Sequence, residues 1–136
     1  MDRIAPSAQS KRTEKNMSQP FCHLELNTPN LEAAKSFYGT MFGWTFDDIH
    51  MGPGMIYSLF KPEVGPGGGI WSFPDMPTAW LAYIAVDEIH EATKKATDLG
   101  AKVVVPPQEV PGKGWFTVLT DPTGASVAIW QQTGPI

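Results

Sequence analysis

The chain carries one arrangement twice. From Phe21, FCHLELNTPNLEAAKSFYGTMFGW runs from a short apolar segment through a capping residue into an amphipathic stretch that stops at Gly43. From Ala79, AWLAYIAVDEIHEATKKATDLGAKV repeats that order and stops at Gly100. Strand-like segments follow both. A supersecondary unit repeated in this way cannot cover its own hydrophobic face and needs its neighbour. The pattern predicts an α+β domain over residues 19–134 built from two βαβββ units, 21–77 and 78–132, after a polar, flexible arm of residues 1–18. Joined, two such units give a concave, partly open mixed sheet, and its lining decides what the protein does.

Bulk properties narrow the choice. With 136 residues, 42% hydrophobic and 18% charged, the chain can build one core without covalent staples. Its single cysteine, Cys22, permits neither an intrachain disulfide nor a thiolate cluster, which suits a reduced, cytoplasmic setting. The basic residues Arg3, Lys11, Arg12 and Lys15 give the first 16 residues a net +2, so the remainder carries −6 of the total −4. An acidic body without a basic stripe argues against nucleic acid as a partner. No apolar run approaches the roughly 18 residues of a membrane span, and the first 20 residues lack the apolar centre of a signal peptide.

Both helices are specified locally. Asn30 caps the first and Glu32 sits in its first turn, where negative charge is favoured. Ala34, Phe37, Tyr38, Met41 and Phe42 fall on one face, which predicts their burial. In the second, Asp87 is the expected cap and Ile89, Ala92, Ala96 and Leu99 the buried face. Strands are expected over 21–28, 43–48, 55–60, 67–73, 80–86, 101–105, 115–120 and 125–130. Loops are expected at 50–54, 61–68 and 106–114, the last a Pro/Gly-rich candidate lid. Alternation along strands then assigns faces. Phe21, His23 and Glu25 share one face of the first strand; Cys22, Leu24 and Leu26 share the other. On the last strand Ser126, Ala128 and Trp130 oppose Val127 and Ile129. The aliphatic sets should pack under helices and the mixed sets should face the concavity.

FYGTMFGW after a capped helix start, and DPTGASVAIW near the end, resemble the vicinal oxygen chelate superfamily, which includes lactoylglutathione lyase (glyoxalase), extradiol dioxygenases and the bleomycin and fosfomycin resistance proteins. The resemblance covers about residues 21–132 and is strongest to a branch of predicted enzymes related to lactoylglutathione lyase. It implies the glyoxalase/bleomycin resistance/dioxygenase fold and a homodimer. It also implies four metal-ligand positions, usually His or Glu, one on each of four strands. His23 stands at the first; Leu81 and Ala128 occupy two others; the fourth falls within MIYSLF, which has no carboxylate or imidazole. A divalent ion needs three or more protein ligands, so no metal or other cofactor is expected, and any metal that did bind would use His23.

The candidate catalytic groups are therefore His23, whose ordinary pKa suits proton transfer near neutrality, and Glu25 two residues along the same face. Tyr57, Leu81, Tyr83, Trp115, Ser126, Ala128 and Trp130 are the candidate ligand-binding residues. His50 and His90 read as surface residues, and GPGGG at 65–69 as a turn and bulge, since no Lys-Ser/Thr or helix follows to make a phosphate loop. The expected function is binding of a small, partly apolar molecule in the concave sheet, by a metal-free lyase or isomerase or by a binder of a metabolite or antibiotic. The alternative is a metal-dependent lactoylglutathione lyase or dioxygenase rebuilt around His23 and Glu25. Neither nucleic acid nor membrane is an expected partner.

Overall fold

The computed structural model describes residues 18–135, so the expected flexible arm of residues 1–18 lies, except for Ser18, outside the described residues. The elements are β1 (Phe21–Asn27), α1 (Leu31–Phe42), β2 (Thr45–Gly52), β3 (Met55–Lys61), β4 (Gly68–Trp71), β5 (Ala79–Ala85), α2 (Ile89–Asp98), β6 (Lys102–Val110), β7 (Gly114–Thr120) and β8 (Ser126–Gln132). The βαβββ order thus occurs twice. All eight strands join one curled mixed sheet in the order β2-β3-β4-β1-β5-β8-β7-β6. The two units meet at the antiparallel β1–β5 pair, flanked by the parallel pairs β1–β4 and β5–β8. Among the described residues no helix is long and apolar enough to cross a membrane.

Alternation sorts the core into three clusters. Leu26, Phe60 and Ile70 are buried with Leu24, Ala34, Tyr38 and Trp44 beneath α1. Ile89, Leu119 and Ile129 are buried with Ile84, Ala92, Ala96 and Val127 beneath α2. Tyr83, Val118 and Ala128 form the third cluster with Leu81, Phe116 and Trp130 on the helix-free, concave face. Val127 and Ile129 therefore lie under a helix while Ala128 faces the concavity, as the strand register requires.

Several local expectations change. The Asn30 cap stands, its side chain accepting from the Ala33 N–H at 3.0 Å. However, Phe37, Met41 and Phe42 are 57%, 63% and 55% exposed. Beneath α1 lie Trp44, Phe60 and Trp80, which stack on or against one another and Tyr38, so that of the expected face Ala34 and Tyr38 reach inward, together with Leu31. The cap of α2 is Glu88, whose carboxylate accepts from the His90 and Glu91 N–H groups, rather than Asp87. Leu99, at the helix end, is exposed.

The candidate lid at 106–114 is instead a hairpin. β6 runs on to Val110 and β7 begins at Gly114. Its register shifts between Val103 and Val105 and between Val105 and Gln108, which lets the edge strand accept Pro106 and Pro107. Likewise β2 continues past residue 50, so His50 is an exposed strand residue opposite Ile56. A register shift between Phe21 and His23 turns Cys22 toward the concave cluster, with Sγ 3.7 Å from the Tyr83 carbonyl, against its expected helix-side placement.

Candidate functional site

The polar centre of the concave face is built at the β1–β5 junction. In register, His23 lies opposite Tyr83 and Glu25 opposite Leu81, while Gly69 of β4 flanks Glu25 on the other side. From β3, Tyr57 reaches across β4 toward β1. It can do so because residue 69 is glycine: a Cβ there would collide with the end of the Tyr57 ring. The glycine run that looked like a turn and bulge is in part a flat strand over which a phenol lies.

Three hydrogen bonds join these side chains. Tyr57 donates its hydroxyl proton to Glu25 Oε1 at 2.9 Å, and Tyr83 donates to Glu25 Oε2 at 3.2 Å. His23 Nε2 is 2.7 Å from the Tyr57 oxygen. With the one phenolic proton of Tyr57 committed to Glu25, His23 Nε2–H is the donor in that contact. The order is His23 to Tyr57 to Glu25, with Tyr83 donating from the far side.

Burial governs the charges. Desolvation lowers the His23 pKa to about 4, so the ring is neutral near pH 7. Desolvation raises the Glu25 pKa, partly offset by the hydrogen bonds from Tyr57 and Tyr83. Both phenols are pushed upward, by desolvation first and then by the Glu25 charge. They remain protonated donors across the ordinary pH range. Glu25 forms no ion pair with a Lys or Arg among the described residues.

Around this centre runs a wall of rings in edge or face contact. Phe73 stacks on Trp71, Trp71 meets Tyr57 edge-on, His23 stacks on Tyr57 and meets Tyr83 edge-on, and Phe116 lies 6.5 Å from Tyr83. Leu81, Ala128 and Trp130 continue it on the second unit. The Trp130 indole lies over Gly114, where a Cβ would meet it.

Two sequence candidates fall elsewhere. Trp115 packs with the cluster under α2, its ring 5.3 Å from His90, because the β7 register turns Phe116 and not Trp115 to the concavity. Ser126 has the concave parity but is exposed at the start of β8 opposite Thr120. Residues absent from the sequence candidates also matter. Trp71, Phe73 and Phe116 form the ring wall, and alternation from Gly69 and Gly114 would have placed the first and last. Asn27 was missed too: its side-chain amide donates to the carbonyls of Phe73, Met76 and Pro77 and accepts from the Phe73 N–H, fixing the β4–β5 connection that carries Phe73.

Three of the positions where metal ligands are implied hold His23, Leu81 and Ala128, and the fourth falls within MIYSLF, which has no carboxylate or imidazole. That set offers one imidazole, already bonded to a phenol, and two side chains with no donor atom. Among the described residues there is no group of three or more His, Cys, Asp or Glu that could hold a metal ion. This donor set does not fit a divalent ion.

Known proteins place the fold. The chain is 35% identical over 127 residues to CFP32 of Mycobacterium tuberculosis, whose name assigns it provisionally to the glyoxylases; the match covers 89% of this chain and 48% of that protein. It is 28% identical over 127 residues to the anthracycline biosynthesis protein DnrV of Streptomyces peucetius, covering 79% of this chain and 45% of the relative. The chain thus spans about half the length of these curated relatives. Among solved structures, methylmalonyl-CoA epimerase from Mycobacterium tuberculosis superposes with a TM-score of 0.63 at 11% identity, over 83% of this chain and 87% of that one. The hypothetical protein BH1468 from Bacillus halodurans C-125 gives 0.70 at 12% identity, over 88% and 99%. At such identities the superpositions speak for the fold alone. A family model matches residues 21–129, and with it the chain belongs to the glyoxalase/bleomycin resistance protein/dioxygenase superfamily.

Proposed function

We propose that the concave face binds a small, partly apolar molecule without the family's metal ion, and that Glu25 is its polar anchor. The observation that carries this is the pair of phenols, Tyr57 and Tyr83, donating to the two oxygens of one partly buried carboxylate. A carboxylate held in that way keeps acceptor capacity for a ligand, since an ionised carboxyl can take about four hydrogen bonds. The ring wall supplies the apolar contact that small-molecule sites generally use. Two relatives named for anthracycline biosynthesis set the same fold beside a small-molecule pathway.

The test uses the full chain. Elemental analysis for Zn, Ni, Mn and Fe should find no stoichiometric metal, and ligands found by thermal-shift screening should move the indole N–H resonances of Trp71 and Trp130 with or without EDTA. Stoichiometric metal that disappears on His23→Ala, or ligand shifts confined to residues under the helices, would overturn it.

A second reading, a metal-free lyase or isomerase, is favoured by the raised pKa of Glu25 beside two phenol donors. Glu25 would take a proton from a carbon next to a carbonyl. As the charge passes to the carbonyl oxygen, the hydroxyls of Tyr57 and Tyr83 lose their acceptor and can donate to that oxygen instead. Deuterium incorporation from D2O into a bound carbonyl ligand, absent in Glu25→Gln, distinguishes this from binding alone. A homodimer belongs to the same proposal, because β2 and β6 are open edges and Phe37, Met41 and Phe42 are exposed. A monomeric mass by light scattering would count against it.

A further inference from the structure

The concave site has one carboxyl group, Glu25, and among the described residues no Lys or Arg pairs with it. Its Oε1 and Oε2 are held by neutral phenols. His23 does not supply a compensating charge either, since its Nε2–H is turned to the Tyr57 oxygen and not to Glu25. An uncompensated carboxylate away from bulk water is costly, and an opposite charge brought against it recovers much of that cost. The rings beside it are of the kind that accept a cation on their faces. Trp71 is partly accessible and Phe73 is 39% exposed, and Trp71 touches the Tyr57 ring that bonds Glu25. Carboxylate plus indole and phenyl faces is the chemistry that recognises an ammonium group on an apolar frame.

We propose that the ligand of this site is an amine, with its ammonium against Glu25 and its apolar or aromatic frame on Trp71, Phe73 and Trp130. The proposal rests on the concave face being a small-molecule site, and it makes Glu25 an anchor and not a free base. It also excludes an anion as ligand: a carboxylate, phosphate or thiolate ligand would meet Glu25 with no cation between them.

Three probes on one 2-phenylethyl frame separate these outcomes: 2-phenylethylamine, 2-phenylethanol and 3-phenylpropionate, titrated into the full chain near neutral pH and followed by NMR. The amine should bind about tenfold or more tightly than the alcohol, from the strength of a charge-assisted hydrogen bond, and the acid should bind most weakly. Added salt should weaken the amine and leave the alcohol nearly unchanged. In Glu25→Gln the amine and alcohol should bind within about twofold of each other, while Glu25→Asp should keep the preference. Equal binding of amine and alcohol to the wild-type concave face overturns the amine proposal and leaves the small-molecule site standing. Absence of concave-face shifts with all three probes at about 10 mM, where even weak ligands register, overturns both. The wild-type comparison needs no variant, so a Glu25→Gln protein that fails to fold does not shield the proposal.

Discussion

Acidification should destabilise this protein through His23 in a way that a single substitution isolates. In the folded chain the His23 pKa is lowered to about 4 from an ordinary 6.5 by desolvation. The unfolded chain therefore binds that proton more readily, so the stability tied to a neutral His23 is fully present above pH 6.5. It falls as pH drops below 6.5 and levels off below about 4. At about 1.4 kcal/mol for each tenfold difference in proton affinity, the gap amounts to about 3 kcal/mol of folding free energy. Glu25 works in the opposite sense. Its raised pKa gives stability that is complete below the ordinary 4.5 and is lost as pH rises through the folded value, so the wild-type curve alone is flattened. His23→Gln removes only the imidazole titration, because its amide N–H can still donate to the Tyr57 oxygen. Urea denaturation of both proteins between pH 4 and 7 should show the wild type losing about 3 kcal/mol relative to the variant as pH falls. Parallel curves, together with an NMR titration of the His23 ring near its ordinary pKa, would falsify the desolvated placement of His23.

Other perturbations test the supports of the site. Gly69→Ala should push the Tyr57 hydroxyl away from Glu25 and His23, costing about 1–3 kcal/mol and letting water raise the His23 pKa; a crystal structure of the variant with Tyr57 unmoved would contradict this. Tyr83→Phe deprives Glu25 Oε2 of its donor and should raise the Glu25 pKa further, visible in the carboxyl carbon titration, whereas an unchanged midpoint counts against the bond. Asn27→Ala should release residues 73–77, with faster amide exchange there and a loss of about 1 kcal/mol, the order of a typical net hydrogen bond, since these bonds are solvent-exposed. Unchanged exchange at Phe73 would rule out the clamp.

The fold was legible because its signals are periodic and redundant. Capped helices and alternating strands recur in both units, and the side facing the helices could be assigned for Leu24, Leu26, Ile84, Val127 and Ile129 before any coordinates. His23, Glu25, Tyr83, Ala128 and Trp130 fell on the concave face by the same period of two. What failed was governed by register or by competition for space. Trp115 was misplaced because the position of a strand's first residue is set by the hairpin turn, which alternation alone does not locate. Phe37, Met41 and Phe42 have a helical period, but the indoles beneath α1 leave them no room. Cys22 was turned by a bulge that its neighbours do not announce. The Tyr57–Glu25 bond was beyond reach for another reason: it depends on a missing side chain at Gly69, two strands away from neither residue in space but distant from both in sequence.

The paired registers also carry a symmetry that the chemistry breaks. An approximate two-fold axis through the β1–β5 pair relates His23 to Leu81 and Glu25 to Tyr83, since His23 faces Tyr83 and Glu25 faces Leu81. The outer strands follow: Leu59 faces Gly69 as Val118 faces Ala128, so Tyr57 corresponds to Phe116 and Trp71 to Trp130. The indoles are kept on both sides, but imidazole, carboxylate and phenol in one unit have aliphatic, phenol and phenyl counterparts in the other. A scaffold that looks alike from either direction thereby acquires a head and a tail. A ligand seated between the two indoles cannot be turned end for end without moving its polar group from the carboxylate of Glu25 and the phenol of Tyr57 to the phenol of Tyr83 and the phenyl ring of Phe116. The two units present matching half-sites, and the differences between them would fix the orientation of the ligand proposed for the concave face.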